Sequence, residues 1–211
     1  MKRAHGLVWL VLVGVASACL AGCLGKPPPV QSYLRVRLDK PPCQGQDAGQ
    51  RAALGFKSLK ALENLDNTAV LTARGQVLTP SLQFYWEGPP QDMLGQLVRQ
   101  AIECQSTKFT PVDYQPRVEH DGVLTGRVTA FNVEETEGGR FVVALHLDLW
   151  TKNSGSKVAT GDFSAYAPLE NFEAETVAKG ASEAVGRIMP KLLSWLDENR
   201  AMLDKNNKIH P

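Results

Sequence analysis

The run FVVALHLDLW, residues 141–150, alternates without a slip. Phe141, Val143, Leu145, Leu147 and Leu149 fall on one side, and Val142, Ala144, His146, Asp148 and Trp150 on the other. A period of two held this long fits a strand with one covered face and fits no helix. Residues 123–133 and 158–166 are rich in β-branched and apolar side chains and read as strands on either side of it. The first link, EETEGGR, holds Gly138 and Gly139, which are free to take positive φ. The second is NSGSK. Together these segments predict an antiparallel meander with one mostly apolar face.

Two segments can cover that face. In QDMLGQLVRQAIECQ, the residues Met93, Leu94, Leu97, Val98, Ala101 and Ile102 recur at helical spacing. Pro89 and Pro90 stand before them, where a missing N–H costs nothing, and Asp92 sits where the helix dipole favours an anion. Cys104 falls on the side of Met93 and Leu97 and is expected to face the core. The second helix is expected to open at Asn171, a good N-cap residue. Its stripe runs through Val177, Ala181, Val185, Ile188, Leu192 and Trp195. Pro190 lies inside it and predicts a kink against the carbonyl of Gly186. The polar residues from Asp197 onward are expected to fray.

Four further pieces read as extended. Residues 33–38 alternate strictly, with Leu34, Val36 and Leu38 opposite Tyr33, Arg35 and Arg37. Residues 56–63 and 68–74 show weaker periodicity, and residues 81–86 are aromatic-rich. The expected fold is α+β, one domain over residues 33–196, with an antiparallel or mixed sheet and two main helices packed on one face. Residues 197–211 form a polar tail.

Ahead of this domain the chain begins MKRAHGLVWLVLVGVASACLAGC. A charged start, a short apolar stretch and small residues at its end describe a secretory signal peptide over residues 1–22. The apolar stretch is short for a spanning helix, which needs about 20 apolar residues. Leu20-Ala21-Gly22-Cys23 resembles the bacterial lipobox, which implies a diacylglyceryl group on Cys23 and cleavage before it. The plainer reading is an ordinary exported protein with an incidental cysteine. Leu24 after the cysteine resembles an outer-membrane address rather than inner-membrane retention. Residues 23–32 are then a tether whose three prolines, Pro27 to Pro29, favour an extended chain of at most about 30 Å.

Formal net charge is +1, and loss of Lys2 and Arg3 leaves −1. With no Lys/Arg stripe, nothing marks a nucleic-acid surface. Cys43 and Cys104 remain after processing, in a compartment where disulfides persist. They form a bridge or stay as two unpaired thiols, one of them buried as a small hydrophobe.

The residues that could do chemistry are few. His146 and Asp148 share a strand face and could touch, and His120 adjoins Asp121, but neither pair has a nucleophile in a recognisable setting. Glu134, Glu135 and Glu137 cluster at a hairpin tip without the alternating oxygen ligands of a calcium loop. No glycine-rich phosphate loop follows a strand. The expectation is a protein that is not an enzyme and carries no cofactor and no metal.

QFYWEGPPQDML, residues 83–94, is best read as a strand-to-helix corner with Trp86 packed beneath the helix. The competing reading is an exposed aromatic patch for a lipid or protein partner. The corner also belongs to an ordered set. Tyr33-Leu34-Arg35 opens the domain, and Thr72-Ala73-Arg74 precedes Leu82-Gln83-Phe84-Tyr85-Trp86. That strand leads into Pro89-Pro90 and a leucine-rich helix, and Trp195-Leu196 closes the last helix. The set resembles the ABC-type transport auxiliary lipoproteins, the paraquat-inducible protein C-like group associated with MCE systems. It covers nearly all of residues 33–196. The chain departs from the group in lacking an acidic residue or asparagine directly before Trp86 and in carrying Cys43 and Cys104.

The resemblance implies a non-enzymatic accessory of an envelope lipid-transport system. Its implied partners are an MCE-type periplasmic protein with its ABC permease and ATPase, and the outer membrane through the lipid anchor. It would face the periplasm, and a homo-oligomer is compatible with that role. Tyr85 and Trp150, turned away from the apolar faces, are the candidate partner-binding residues. A structural or assembly lipoprotein of the envelope and a small lipid-binding carrier are the alternatives.

Overall fold

β7 (Gly122–Glu134) is the spine of the sheet. Along one edge it pairs antiparallel with β8 (Arg140–Thr151), and β8 pairs antiparallel with β9 (Lys157–Pro168). This is the expected meander. Phe141, Val143, Leu145, Leu147 and Leu149 are buried, and the residues between them are half-exposed. Gly138 and Gly139 take φ of 92° and 59° in the turn, a region that side chains with a Cβ avoid.

The other edge of β7 is shared in turn by β2 (Ala52–Phe56), β3 (Lys60–Ala61) and β4 (Ala69–Arg74), all parallel to it. β2 also pairs in parallel with β6 (Phe109–Asp113). β4 pairs antiparallel with β5 (Val77–Trp86), and β5 pairs in parallel with β1 (Ser32–Leu34). Among the described residues this makes one nine-stranded mixed sheet. This computed structural model describes residues 30–38, 43, 51–115, 117–136, 138–152 and 155–209. The chain separates into two units after Val30, and the whole sheet belongs to the second. Residues 1–22, read above as a signal peptide, Cys23, Pro27 to Pro29 and Glu137 lie outside the described residues.

α1 (Pro90–Gln105) and α2 (Ala174–Glu198) touch each other and share one core with the inner face of the sheet. Together they make the α+β domain expected from the sequence. Trp86 is 1% exposed beneath this cover. Its ring centroid lies 4.8 Å from that of Phe131 and 5.6 Å from that of Phe141, both at tilted or edge-on angles. Such pairs add about 0.5–1.5 kcal/mol to the gain from burial alone. The corner reading of residues 83–94 therefore holds for Trp86.

Several expectations need correction. Of the first extended piece only Tyr33 and Leu34 are hydrogen-bonded strand, in β1, although Leu34 and Val36 are buried and Arg35 and Arg37 exposed as the alternation predicts. Residues 56–63 are not one strand. β2 ends at Phe56, the chain turns, and a 3-10 turn occupies Glu63–Leu65. Asn171 does not cap the long helix. Its Oδ1 accepts from the N–H of Glu173 at 3.0 Å, a local turn that delays the helix, and Glu173 becomes the N-cap. The helix holds Pro190 inside it and ends at Glu198, with Asn199 as its C-cap.

Past that residue the chain does not fray. It forms α3 (Arg200–Ile209), with Leu203 fully buried against Gly122. Asp197 explains the order. Its carboxylate accepts from Ser106 Oγ at 2.7 Å and from Thr107 Oγ1 at 2.8 Å, and its carbonyl accepts from Lys108 Nζ at 2.9 Å. The Arg200 guanidinium donates to the carbonyl of Lys108. The helix junction is thus tied to the corner between α1 and β6.

Candidate functional site

The inner half of the β4–β5 hairpin is core, with Val70, Leu71 and Trp86 buried, whereas its outer half keeps Val77, Leu78 and Leu82 in solvent. Arg74 pairs with Val77 across a turn in which Gly75 takes φ 61°. Four paired positions further on, the register breaks: Leu71 faces Pro80, but Ala69 faces Tyr85. The extra residues bulge outward around Ser81, whose Oγ accepts the N–H groups of Gln83 at 3.1 Å and Phe84 at 3.0 Å. A bulge at a sheet edge re-aims the chain. Here it separates the inner half of the hairpin, which is core, from the exposed outer half.

The result is an open cleft of about 640 Å³ between the hairpin and the loop before α2. Val70, Val77, Phe84, Val133, Phe172 and Val177 supply its apolar lining. Arg74 and Glu135 form an ion pair of 2.5 Å on its wall. Large apolar side chains stand in solvent around it: Val77 is 64% exposed, Leu82 76% and Phe172 48%. Because β1 reaches β5 only at Phe84, residues 77–83 also present a strand edge with no partner among the described residues. A clustered apolar surface of this kind marks a contact site rather than ordinary surface scatter.

The residues singled out from the sequence do not gather here. Cys43 and Cys104 are joined by a disulfide, which resolves that alternative. Cys104 is half-exposed near the end of α1 and does not face the core as expected, because its partner lies at the surface. Tyr85 is half-buried on β5 beside Tyr33, with ring centroids 6.0 Å apart. Trp150 lies near the far end of β8, also half-buried. Its indole N–H donates to Thr125 Oγ1 at 3.0 Å, and the Lys157 ammonium stands 5.1 Å from its ring centre. Counting along the paired strands separates Tyr85 and Trp150 by roughly 25 Å. They do not share one patch.

His146 and Asp148 do meet, as Nε2 and Oδ1 at 3.6 Å. They belong to a polar ladder on the open face of the sheet. His146 Nδ1 lies 2.7 Å from Asp162, Asp148 accepts from Thr160 Oγ1 at 2.6 Å, and Lys157 Nζ lies 2.9 Å from Asp148. Burial pushes the Asp148 carboxyl up. The hydrogen bonds from Thr160 and Lys157, with the charges of Lys157 and His146, more than offset this and hold it below the ordinary carboxylate value. The hydroxyl in the ladder, that of Thr160, donates to Asp148 and not to the His146 ring. Glu134 and Glu135 are taken up by Arg140 and Arg74. The His120 ring packs edge-on to Tyr114, and Asp121 accepts the N–H of Ala53 at 2.8 Å. Among the described residues no group of three or more metal-ligating side chains converges.

Sequence reasoning missed Val77, Leu78, Leu82 and Phe172. One signal was present. Pro80 sits inside a run that otherwise reads as strand, and a proline there belongs on an open edge.

No family model matches the chain, and no curated protein matches it. Among the solved structures that share its fold are two similar over most of the chain. A protein from Xanthomonas campestris, XCC0632, of the family DUF330, is similar at a TM-score of 0.70 and 17% identity, covering 82% of this chain and 99% of its own. An uncharacterized protein is similar at a TM-score of 0.64 and 12% identity, covering 79% of this chain and 99% of its own. At these identities the likeness is one of fold.

Proposed function

We propose that this chain is a lipid-anchored, non-enzymatic accessory of a bacterial envelope lipid-transport system, held at the outer membrane and facing the periplasm. The observation that carries the reading is Leu20-Ala21-Gly22-Cys23 at the end of a signal-type stretch, with a folded domain beginning at Ser32. The ordered set from Tyr33-Leu34 to Trp195-Leu196 supports the finer assignment to an MCE-type system. The described surface favours contact over chemistry. Its titratable groups form ion pairs and ladders, whereas the β4–β5 end presents an apolar cleft.

The test has two parts. Intact mass of the mature protein should show a diacylglyceryl-modified Cys23 as the first residue, and Cys23→Ala should leave the membrane fraction. An unacylated N-terminus would refute the anchor. Crosslinking in membranes followed by capture of the lipidated wild type should then recover an MCE-type protein. If the acylated protein captures none, the transport reading gives way to a structural envelope lipoprotein.

A further inference from the structure

The domain has a direction, and β1 sets it. β1 runs parallel to β5, and β5 runs from the hairpin turn toward the Trp86 corner. The chain therefore enters β1 at Ser32 from the side of the β4–β5 turn. Ser32 lies level with Phe84, and the turn projects roughly 15 Å beyond that level. Eight residues lie between Cys23 and Ser32, a reach of at most about 30 Å. An acyl chain on Cys23 thus holds its bilayer within reach of the hairpin.

The hairpin has the composition of a surface that leaves water. Between Ala69 and Gln83 the only charged residue is Arg74. Open strand edges in water are ordinarily guarded by charges. The ladder on β8 and β9 shows that this chain places charges on open sheet where the face is wet. The hairpin instead exposes Val77, Leu78 and Leu82, and Phe172 stands beside it across the cleft. Glu170 and Glu173 flank Phe172 and limit how deep that loop can go.

We propose that the outer half of the β4–β5 hairpin is a membrane-contact element: Val77, Leu78 and Leu82 enter the interfacial layer of the same leaflet that holds the acyl group. Interfacial elements bury their apolar side chains about 5–10 Å into the headgroup and acyl boundary. The lipid surface thereby covers the open edge of β5 and fixes which end of the domain points into the periplasm. This rests on the lipid-anchor reading above.

The experiment uses the acylated full mature chain in vesicles of phosphatidylethanolamine and phosphatidylglycerol. With Cys43 and Cys104 bonded and Cys23 acylated, Val77→Cys, Leu82→Cys and Val118→Cys each introduce one free thiol for a nitrobenzoxadiazole label. Val118 precedes β7, at the end of the sheet away from the hairpin. Labels at 77 and 82 should shift to the blue in vesicles and lose emission when doxyl-labelled lipid is included, while the label at 118 does neither. Vesicle-bound protein whose labels at 77 and 82 behave like that at 118 would overturn the proposal. A blue shift without lipid quenching would overturn it too, in favour of a second copy of the chain on the hairpin. Intact mass is read separately: an unacylated chain sinks the anchor and this proposal with it. The three positions are exposed, so melting midpoints matching the wild type confirm that each labelled variant is folded.

Discussion

The β7–β8 and β4–β5 hairpins are built alike and end differently. Each turns through glycines at positive φ, at Gly138–Gly139 and at Gly75. Each is rich in apolar residues. In β7–β8 the inward row meets α2 and the ring cluster of Trp86, Phe131 and Phe141, and disappears from solvent. In β4–β5 the register shifts around Ser81, and Val77 beyond the shift and Leu82 within it remain in water. Apolar patterning on a strand therefore announces that a face wants cover. It does not say whether the cover is a helix of the same chain or something else.

The largest test of that contrast pairs one residue from each side. Trp86→Ala should cost about 3–5 kcal/mol in chemical denaturation, the usual range for emptying a large buried ring site. Leu82→Ala should stay within about 0.5 kcal/mol of wild type, as exposed positions do. Comparable losses at both would mean that the hairpin belongs to the core. Trp86→Phe sharpens the first half. The indole N–H has no partner among the described residues, so phenylalanine should recover most of the stability.

A middle-sized effect is expected where the C-terminal helix is tied down. Asp197→Ala strips the fully buried Ser106 hydroxyl of its acceptor, a loss of about 1–3 kcal/mol. Hydrogen exchange should show residues 200–209 losing protection first. If they stay protected while the whole domain weakens, Leu203 and not Asp197 holds α3 in place.

The smallest effect concerns the wet face. The Asp148 carboxyl is held below its ordinary value, so its contribution to stability is present above the unfolded-state pKa of about 3.9 and is lost as pH falls through the lower folded value. Asp148→Asn should flatten the acid side of the stability profile below about pH 4. Urea midpoints measured across that range decide it. An unchanged acid limb would show that other carboxylates govern it.

These differences also explain what could be read in advance. β8 was legible because one of its faces is dry and the other wet, so its period of two survives in the sequence. β2 was not. Ala52, Leu54, Gly55 and Phe56 are all buried, and a strand paired in parallel on both sides loses the alternation that reveals it. β6 was hidden by Pro111, which an edge strand tolerates. α3 was hidden because its order comes from Asp197 and Lys108, residues distant in sequence from it or from each other, and from a single buried leucine. The exposed hairpin was missed for the converse reason: valine and leucine on a strand look like core until the packing around the strand is known.

The parallel pairing of β1 with β5 has a mechanical meaning. Any pull that arrives through Gln31 acts along the strand, from the turn end, and so loads the β1–β5 hydrogen bonds in shear, all together, rather than peeling them one by one. Leu34 and Val36 in the core and the Arg35–Glu87 ion pair share that load. Should they yield, the chain runs out only as far as Cys43, where the bond to Cys104 transfers the force to α1 and spares the sheet. The N-terminal strand is a slip clutch, and the disulfide is its stop.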